Sequence, residues 1–188
     1  MSGAQRSGKH ILILLGVIAV LPIVGSYLLY SFWKPASFVN YGELVVPEEV
    51  ITPAPDDAMS KVLKEVSGKW VLAMADSGSC GEFCQKKLYY LRQIRLTQGK
   101  YMGRIERLWI ITDEVTPNES VLKDYEGTRV VSARGSAWVG QIPVKTSLTD
   151  YVLIIDPLGN VILRYPRDLD PSAMKKDLQR LLRASRIG

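Results

Sequence analysis

The chain has 188 residues, with 24 Lys and Arg against 19 Asp and Glu and a formal net charge of +5 at pH 7. A basic balance can indicate nucleic-acid binding, but Arg6, Lys9 and Lys34 flank one apolar run and every acidic residue follows it. The remaining sequence is close to neutral and has no basic run with interleaved aromatic residues. Nucleic acid is therefore excluded as a predicted partner.

The first element is an apolar run from Ile11 to Trp33 that contains no charged residue and carries Tyr27 and Tyr30 near its end. A bilayer core about 30 Å thick requires roughly 20 apolar residues in a helix. The run predicts one transmembrane helix over residues 11–33, with a kink at Pro22. The lipid bilayer is therefore the first predicted partner.

A cleaved signal peptide is the main alternative to this anchor. The apolar part of a signal peptide is usually about 7 to 15 residues long and ends at a small-x-small site, whereas this run is longer and continues into Lys34 and Pro35. Because Arg6 and Lys9 outweigh Lys34, the positive-inside rule predicts a cytoplasmic tail over residues 1–10. The rest of the chain would then be periplasmic in a bacterial inner membrane protein.

The sequence after the anchor divides into a proline-rich linker, residues 34–55, and one domain, residues 56–188. In the domain, Asp56 or Asp57 can cap a helix that ends at about Val66, and the apolar run Lys69 to Ala75 predicts a strand.

A loop with both cysteines then leads into a helix to about Gln98, whose spacing places Leu88, Leu91, Ile94 and Met102 on the inner face. The elements predicted next are a strand at 108–112, a short helix at 117–125 and a candidate strand at 128–132.

Two further strands, Tyr151 to Asp156 and Val161 to Tyr165, flank the turn sequence Pro157-Leu158-Gly159-Asn160 and predict an antiparallel hairpin. A last amphipathic helix begins at Pro171 and Ser172. Continuous apolar strands separated by helices predict an α/β fold in which helices flank a mixed, largely parallel central sheet. The order of elements matches the thioredoxin-like fold.

The two cysteines, Cys80 and Cys84, stand four residues apart where a strand gives way to a helix. A helix N-terminus stabilises a thiolate, Lys86 and Lys87 add positive charge nearby, and Glu82 opposes it. The spacing also allows a disulfide. Three interpretations stay open at this point: a redox-active dithiol, a Cu(I) site made by both sulfurs, and a structural disulfide.

The domain resembles the Sco/SenC family, the thioredoxin-like copper chaperones and thiol reductases of cytochrome c oxidase assembly. The similarity begins at about Gly68 and follows the N-terminal anchor in the same order as in the family. It rests on a Gly-Lys-x-Val-Leu strand, a Ser-Cys-x-x-x-Cys loop, a strand that ends in Asp113, and Leu-Ile-Asp-Pro-x-Gly, here residues 154–159 with Ile for the first Leu.

The chain departs from that family at the third copper ligand. Sco proteins bind copper through two cysteines and a histidine before the hairpin, a position that falls at about Leu148, whereas the single histidine here is His10. The resemblance therefore implies a degenerate member, in which a Cu(I) site would need another ligand such as Met74 or Met102.

The resemblance implies a thiol-disulfide reductant or chaperone for the copper site of cytochrome c oxidase, with Cys80 and Cys84 as the catalytic redox pair. No cofactor is then required, and the implied partner is a respiratory oxidase subunit or another copper or thiol assembly factor. Two alternatives stay open: a chaperone that holds Cu(I) with the same two cysteines as metal ligands, and a noncatalytic scaffold protein. Asp76 could serve the pair as a proton acceptor, although a loop-capping role is favoured.

Overall fold

The computed structural model describes residues 4–32, 40–45 and 57–187. They belong to two compact units, one within residues 1–39 and the other within residues 40–188.

The first unit is a single helix, α1 (Ala4–Phe32), which contains Pro22. Its stretch from Gly8 to Ser31 has a mean hydropathy of 2.6 and is long and apolar enough to cross a membrane. The helix agrees with the predicted span, whose last residue, Trp33, lies outside the described residues.

The second unit is a six-stranded sheet with helices on both faces. Its strands are β1 (Glu43–Leu44), β2 (Trp70–Asp76), β3 (Ile105–Ile111), β4 (Thr128–Ser132), β5 (Tyr151–Ile155) and β6 (Val161–Pro166). Its α-helices are α2 (Ala58–Glu65), α3 (Glu82–Leu96), α4 (Glu119–Asp124), α5 (Ala137–Gly140) and α6 (Pro171–Ala184).

The strand order across the sheet is β1-β6-β5-β2-β3-β4. Strands β2, β3 and β4 are parallel, whereas β5 pairs antiparallel with both β2 and β6. The predicted mixed sheet and late hairpin are confirmed, and the candidate strand at 128–132 is present. Gly159 has a φ of +94° in the hairpin turn, a conformation that favours glycine.

Both faces of the sheet are buried, which explains why β2 is apolar without alternation. Trp70, Leu72 and Met74 belong to the core formed with α3 and α6, and Val71 and Ala73 belong to the core on the other face, against α2. The central strand β2 thus fixes the position of the loop that follows its carboxyl end.

Strand β3 begins at Ile105, three residues before the predicted start at Leu108. Glu106 and Arg107 interrupt the apolar pattern there, but both are accommodated in the strand. The carboxylate of Glu106 accepts a hydrogen bond from Lys69 Nζ at 2.6 Å. A search for apolar runs does not detect strand residues whose charges are paired with a neighbouring segment.

Residues 40–45 pack on the sheet, although the sequence predicts a linker over residues 34–55. Leu44 and Glu43 pair with β6, and Val45 is buried. The carboxylate of Asp177 on α6 accepts hydrogen bonds from the backbone N–H groups of Tyr41 at 2.8 Å and Gly42 at 3.0 Å. A two-residue strand is too short to show a period of its own.

Candidate functional site

Cys80 and Cys84 form a disulfide at the point where β2 leads into α3. Their sulfur atoms are 1.98 Å apart and their Cα atoms 5.0 Å apart. Cys80 ends the loop after β2, and Cys84 lies in the first turn of α3, which begins at Glu82. The structure therefore brings together the two residues that the sequence singles out.

Cys80 has a φ of +46° and is the one non-glycine residue with a positive φ in the described part of the chain. This left-handed conformation costs a residue with a Cβ roughly 1 kcal/mol. It is held by the disulfide, by a hydrogen bond from the Cys80 N–H to the Ser77 carbonyl at 3.1 Å, and by one from Gln85 Nε2 to the Cys80 carbonyl at 3.2 Å. Backbone strain of this kind often accompanies a functional site.

The cysteine loop is braced by the loop that follows β3. Asp113 Oδ1 accepts hydrogen bonds from the Gly78 N–H at 2.9 Å and the Val115 N–H at 3.2 Å. These bonds, with the Gly78 N–H first, hold the pKa of Asp113 below its usual value. A Cβ at Gly78 would lie 1.7 Å from the Val115 carbonyl oxygen, so the close approach of the two loops requires glycine there.

Lys87 is buried beneath this loop, with a side chain only 1 % exposed. Its ammonium group lies 2.7 Å from each of three oxygens: the carbonyls of Ala75 and Thr149 and Oδ2 of Asp76. Burial lowers the pKa of Lys87, and the Asp76 carboxylate opposes that shift. Lys87 thus joins the end of β2 to the segment before β5.

This geometry changes the role predicted for Lys87. The sequence places its charge near the sulfurs, but all three of its N–H donors are directed to oxygen atoms and its charge is matched by Asp76. A lysine at position i+3 from Cys84, beside Leu88 on the inner face of the helix, is the signal that could have predicted a buried charge.

Asp76 also caps the cysteine loop, because its Oδ1 accepts a hydrogen bond from the Ser77 N–H at 2.9 Å. Both carboxylate oxygens therefore have partners, as the favoured loop-capping interpretation requires. Its Oδ2 connects the carboxylate to Lys87, so the pair acts as one unit at the end of β2.

The disulfide is covered, since Cys80 is 2 % exposed and Cys84 is 1 % exposed. Both sulfurs belong to the core that contains Met74 and Leu88. Phe83, between the two cysteines, is instead more than half exposed. The Arg167 guanidinium lies 4.6 Å from the centre of the Phe83 ring. Access to the sulfurs therefore requires local movement of the covering side chains or loop.

Arg167 is held beside the cysteine loop by the segment before β5. The backbone N–H of Arg167 donates to the Asp150 carbonyl at 2.8 Å, and the Arg167 guanidinium lies 3.8 Å from the Asp150 carboxylate. Nothing in the local sequence around Arg167 indicates this position, because the contact joins residues from distant parts of the chain.

The residues near the cysteines do not supply the third ligand of a Sco-type copper site. The described residues contain no group of three His, Cys, Asp or Glu side chains able to hold a metal ion. Met102 lies in a 3-10 turn before β3, at the opposite end of the sheet from the cysteine loop, and so is not on the inner face of α3. Met74 does share the buried core with both sulfurs. A copper(II) site of two thiolates and an imidazole therefore does not fit.

The sequence model of one protein family, described as "Transmembrane-like, thioredoxin-like, C-terminal domain", matches residues 70–185. This match covers more than half of the chain. The chain belongs to this family. The matched residues of this chain include Cys80, Cys84, Lys87 and the segment before β5. No curated protein matches the sequence.

Solved structures similar to this domain include Sco proteins and a putative protein disulfide isomerase. Yeast Sco1 with copper bound has a TM-score of 0.53 and 17% identity, over 65% of this chain and 84% of that one. Arabidopsis thaliana ScoI with copper bound has a TM-score of 0.52 and 13% identity, over 65% and 89%. A putative protein disulfide isomerase from Bacteroides thetaiotaomicron has a TM-score of 0.51 and 16% identity, over 77% and 95%. At these identities the likeness shows the thioredoxin-like fold, as predicted.

Proposed function

We propose that this member of the family is a membrane-anchored thiol-disulfide reductant or chaperone for the copper site of cytochrome c oxidase. The observation that carries the proposal is the Cys80–Cys84 disulfide at the start of α3. A thioredoxin-like fold with a cysteine pair at this position suits reversible dithiol chemistry. The partner would be an oxidase subunit or another copper or thiol assembly factor.

The proposed reaction moves two electrons from the cysteine pair to a partner disulfide. A thiolate of the reduced pair attacks one sulfur of that disulfide, forms a mixed disulfide and releases the first partner thiol. The second cysteine attacks the mixed disulfide, releases the second partner thiol and leaves Cys80 and Cys84 oxidised. An external dithiol donor returns the pair to the reduced state.

The chain organisation supports a proposal about location. We place residues 1–10 in the cytoplasm, residues 11–33 in the membrane and residues 34–188 in the periplasm. Residues 34–55 then connect the membrane helix to the domain over residues 56–188, and residues 40–45 of this connection pack on the sheet. The apolar helix α1 and the transmembrane-like family point to a single-pass membrane protein. The orientation depends on Arg6 and Lys9 against Lys34. An inactive alkaline-phosphatase fusion at the C-terminus would contradict it.

Copper is the second candidate function, because the named Sco structures contain bound copper and Met74 lies in the same core as both sulfurs. Reduction of the disulfide would free two thiolates, which are suitable ligands for Cu(I). The missing imidazole makes this candidate weaker than the dithiol.

A redox titration of the full-length protein in detergent, with thiols counted by mass after alkylation, tests the proposal first. We expect one reversible two-electron couple. Cu(I) is then added to the reduced protein with a competing chelator. Retention of one Cu(I) per chain would favour the copper chaperone, and thiols that neither cycle nor retain copper would favour a scaffold protein.

Complementation of a deletion strain tests the same proposal in the cell. Cys80→Ser and Cys84→Ser should each lower oxidase activity, whereas Ser79→Ala, an exposed neighbour in the same loop, should not. If the double serine variant restores oxidase activity as well as wild type, the dithiol does not carry the function.

A further inference from the structure

The last helix has a cationic outer face that differs from the rest of the domain. Five basic residues follow Asp170, and those with exposed side chains are Lys176, Arg180, Arg183 and Arg186. The acidic residue in this part of the sequence, Asp177, is buried. It accepts hydrogen bonds from backbone N–H groups of the 40–45 segment and forms an ion pair with Arg180 at 3.3 Å. The outward charge of α6 is therefore entirely positive.

An apolar groove with a volume of about 320 Å³ borders the end of this helix. It lies between the β5–β6 turn and α6, and Trp70, Leu158, Leu181 and Ile187 contribute to its lining. Leu158 is 77% exposed and Ile187 is 55% exposed, so two large apolar side chains face solvent at its rim. Such exposure is unfavourable in water and marks a binding surface when it forms a patch.

The groove is held open by hydrogen bonds on both sides. The Arg104 guanidinium donates to the carbonyls of Leu182, Ser185 and Ile187 at 2.7–3.0 Å. These bonds fix the backbone of residues 182–187 on one side of the groove. On the other side, Asp156 Oδ1 accepts from the backbone N–H of Leu158 at 2.9 Å. The groove is thus a built feature of the fold.

Trp70 contributes a buried aromatic side chain to the lining of this apolar groove. Its indole N–H is shielded from solvent and has no hydrogen-bond partner among the described residues. A buried donor without an acceptor is unfavourable by roughly 1–3 kcal/mol.

We propose that this surface, made of the groove and the cationic face of α6, docks on anionic phospholipid. A phospholipid offers an acyl chain for the groove and phosphate for the arginines. An acidic soluble protein would satisfy the charges and leave Leu158 and Ile187 in water. The chain's own apolar helix keeps the domain near a bilayer, which raises the effective lipid concentration.

Hydrogen–deuterium exchange of the full-length oxidised protein in nanodiscs tests the proposal. One set of discs contains phosphatidylcholine alone, and the other contains phosphatidylcholine with phosphatidylglycerol. We expect slower exchange at residues 157–160 and 181–187 in the anionic discs, and less difference at high salt. Equal exchange in both sets of discs would overturn the proposal.

Matched variants separate this surface from general charge attraction. Arg183→Gln with Arg186→Gln should weaken docking by about fivefold for each charge removed, whereas Lys61→Gln with Lys64→Gln on α2 should leave it unchanged. Equal loss in both pairs would overturn the proposal. Leu158→Asp, on an exposed turn, should also abolish the protection, and thermal melting checks that the variant is folded.

A third comparison distinguishes lipid from an acidic macromolecule. Polyglutamate is added to the protein in phosphatidylcholine discs, and exchange is measured at the same two segments. We expect no protection of residues 157–160. Protection equal to that in phosphatidylglycerol discs would show that charge alone suffices and would overturn the lipid assignment. The readout is lipid contact and is independent of thiol chemistry.

Discussion

The two ends of the central strand β2 differ in how their polar groups are satisfied. At the carboxyl end, Asp76 and the buried Lys87 have oxygen or N–H partners, and the cysteine loop is pinned to the loop after β3. At the amino end, Trp70 has an unpaired indole N–H beside an open apolar groove. The comparison indicates that one end fixes a pair of sulfurs, whereas the other end borders a groove and leaves a polar group without a partner among the described residues.

Removal of the Lys87 charge, at the carboxyl end of β2, should have the largest effect on the free energy of unfolding. Lys87→Met keeps the length of the side chain but leaves Asp76 without its cation and two carbonyls without a donor. We expect the free energy of unfolding to fall by about 3 kcal/mol, as for a broken buried ion pair. Urea unfolding of the oxidised protein measures this change.

The matched control is Lys86→Met, which removes the same charge from an exposed neighbour on α3. Its free energy of unfolding should change by less than about 0.5 kcal/mol. An equal effect of the two substitutions would show that the buried network at the end of β2 does not stabilise the domain.

Gly78→Ala should have the next largest effect, because the new Cβ would meet the Val115 carbonyl at 1.7 Å and separate the two loops. We expect a loss of about 2 kcal/mol in the free energy of unfolding and faster reduction of the disulfide by a soluble dithiol. Gly81→Ala in the same loop meets no atom within 4 Å and serves as the control. If the two variants are reduced at the same rate, the loop contact does not protect the sulfurs.

Most of the fold follows from patterns that a single segment carries. The apolar runs of β2 and β5, and the inner face of α3 at Leu88 and Leu91, are buried as predicted. The cysteine pair is also predictable, because its spacing and its place before α3 are both local features. These signals are continuous apolar runs, the 3.6-residue period of a helix and a local spacing of two cysteines, and they need no tertiary information.

The parts that the sequence does not predict all depend on contacts between distant segments. Lys87 meets the Thr149 carbonyl, and Arg167 meets the Phe83 ring, across separations that no local period records. Strand β1 has two residues and pairs with β6, and the Tyr41 N–H just before it donates to Asp177 on α6. Such contacts arise only after the sheet brings the segments together.

Trp70→Phe tests the amino end of β2, where we expect a small effect. The substitution removes the unpaired indole N–H, which offsets the loss of buried ring atoms. The free energy of unfolding in detergent should therefore change by less than about 1 kcal/mol, in contrast to Lys87→Met. A large destabilisation would mean that the indole N–H has a partner within the fold.

Acid should weaken the contact between the cysteine loop and the loop after β3 by a smaller amount, because Asp113 becomes protonated. Its pKa is held below the usual value, chiefly by the Gly78 N–H, so its contribution is complete above the unfolded pKa, near 3.8. That contribution is lost as pH falls through the lower folded pKa.

The observable consequence is the rate at which a phosphine reduces the disulfide, relative to a small reference disulfide at the same pH. In the wild type this relative rate should rise by a factor of about two to three as pH falls from 5 to 2.5, as for the loss of an exposed charged contact. Asp113→Asn lacks the titrating carboxyl and should show a flatter profile. If the two profiles coincide, the rise comes from another group, and the brace between the two loops does not depend on the charge of Asp113.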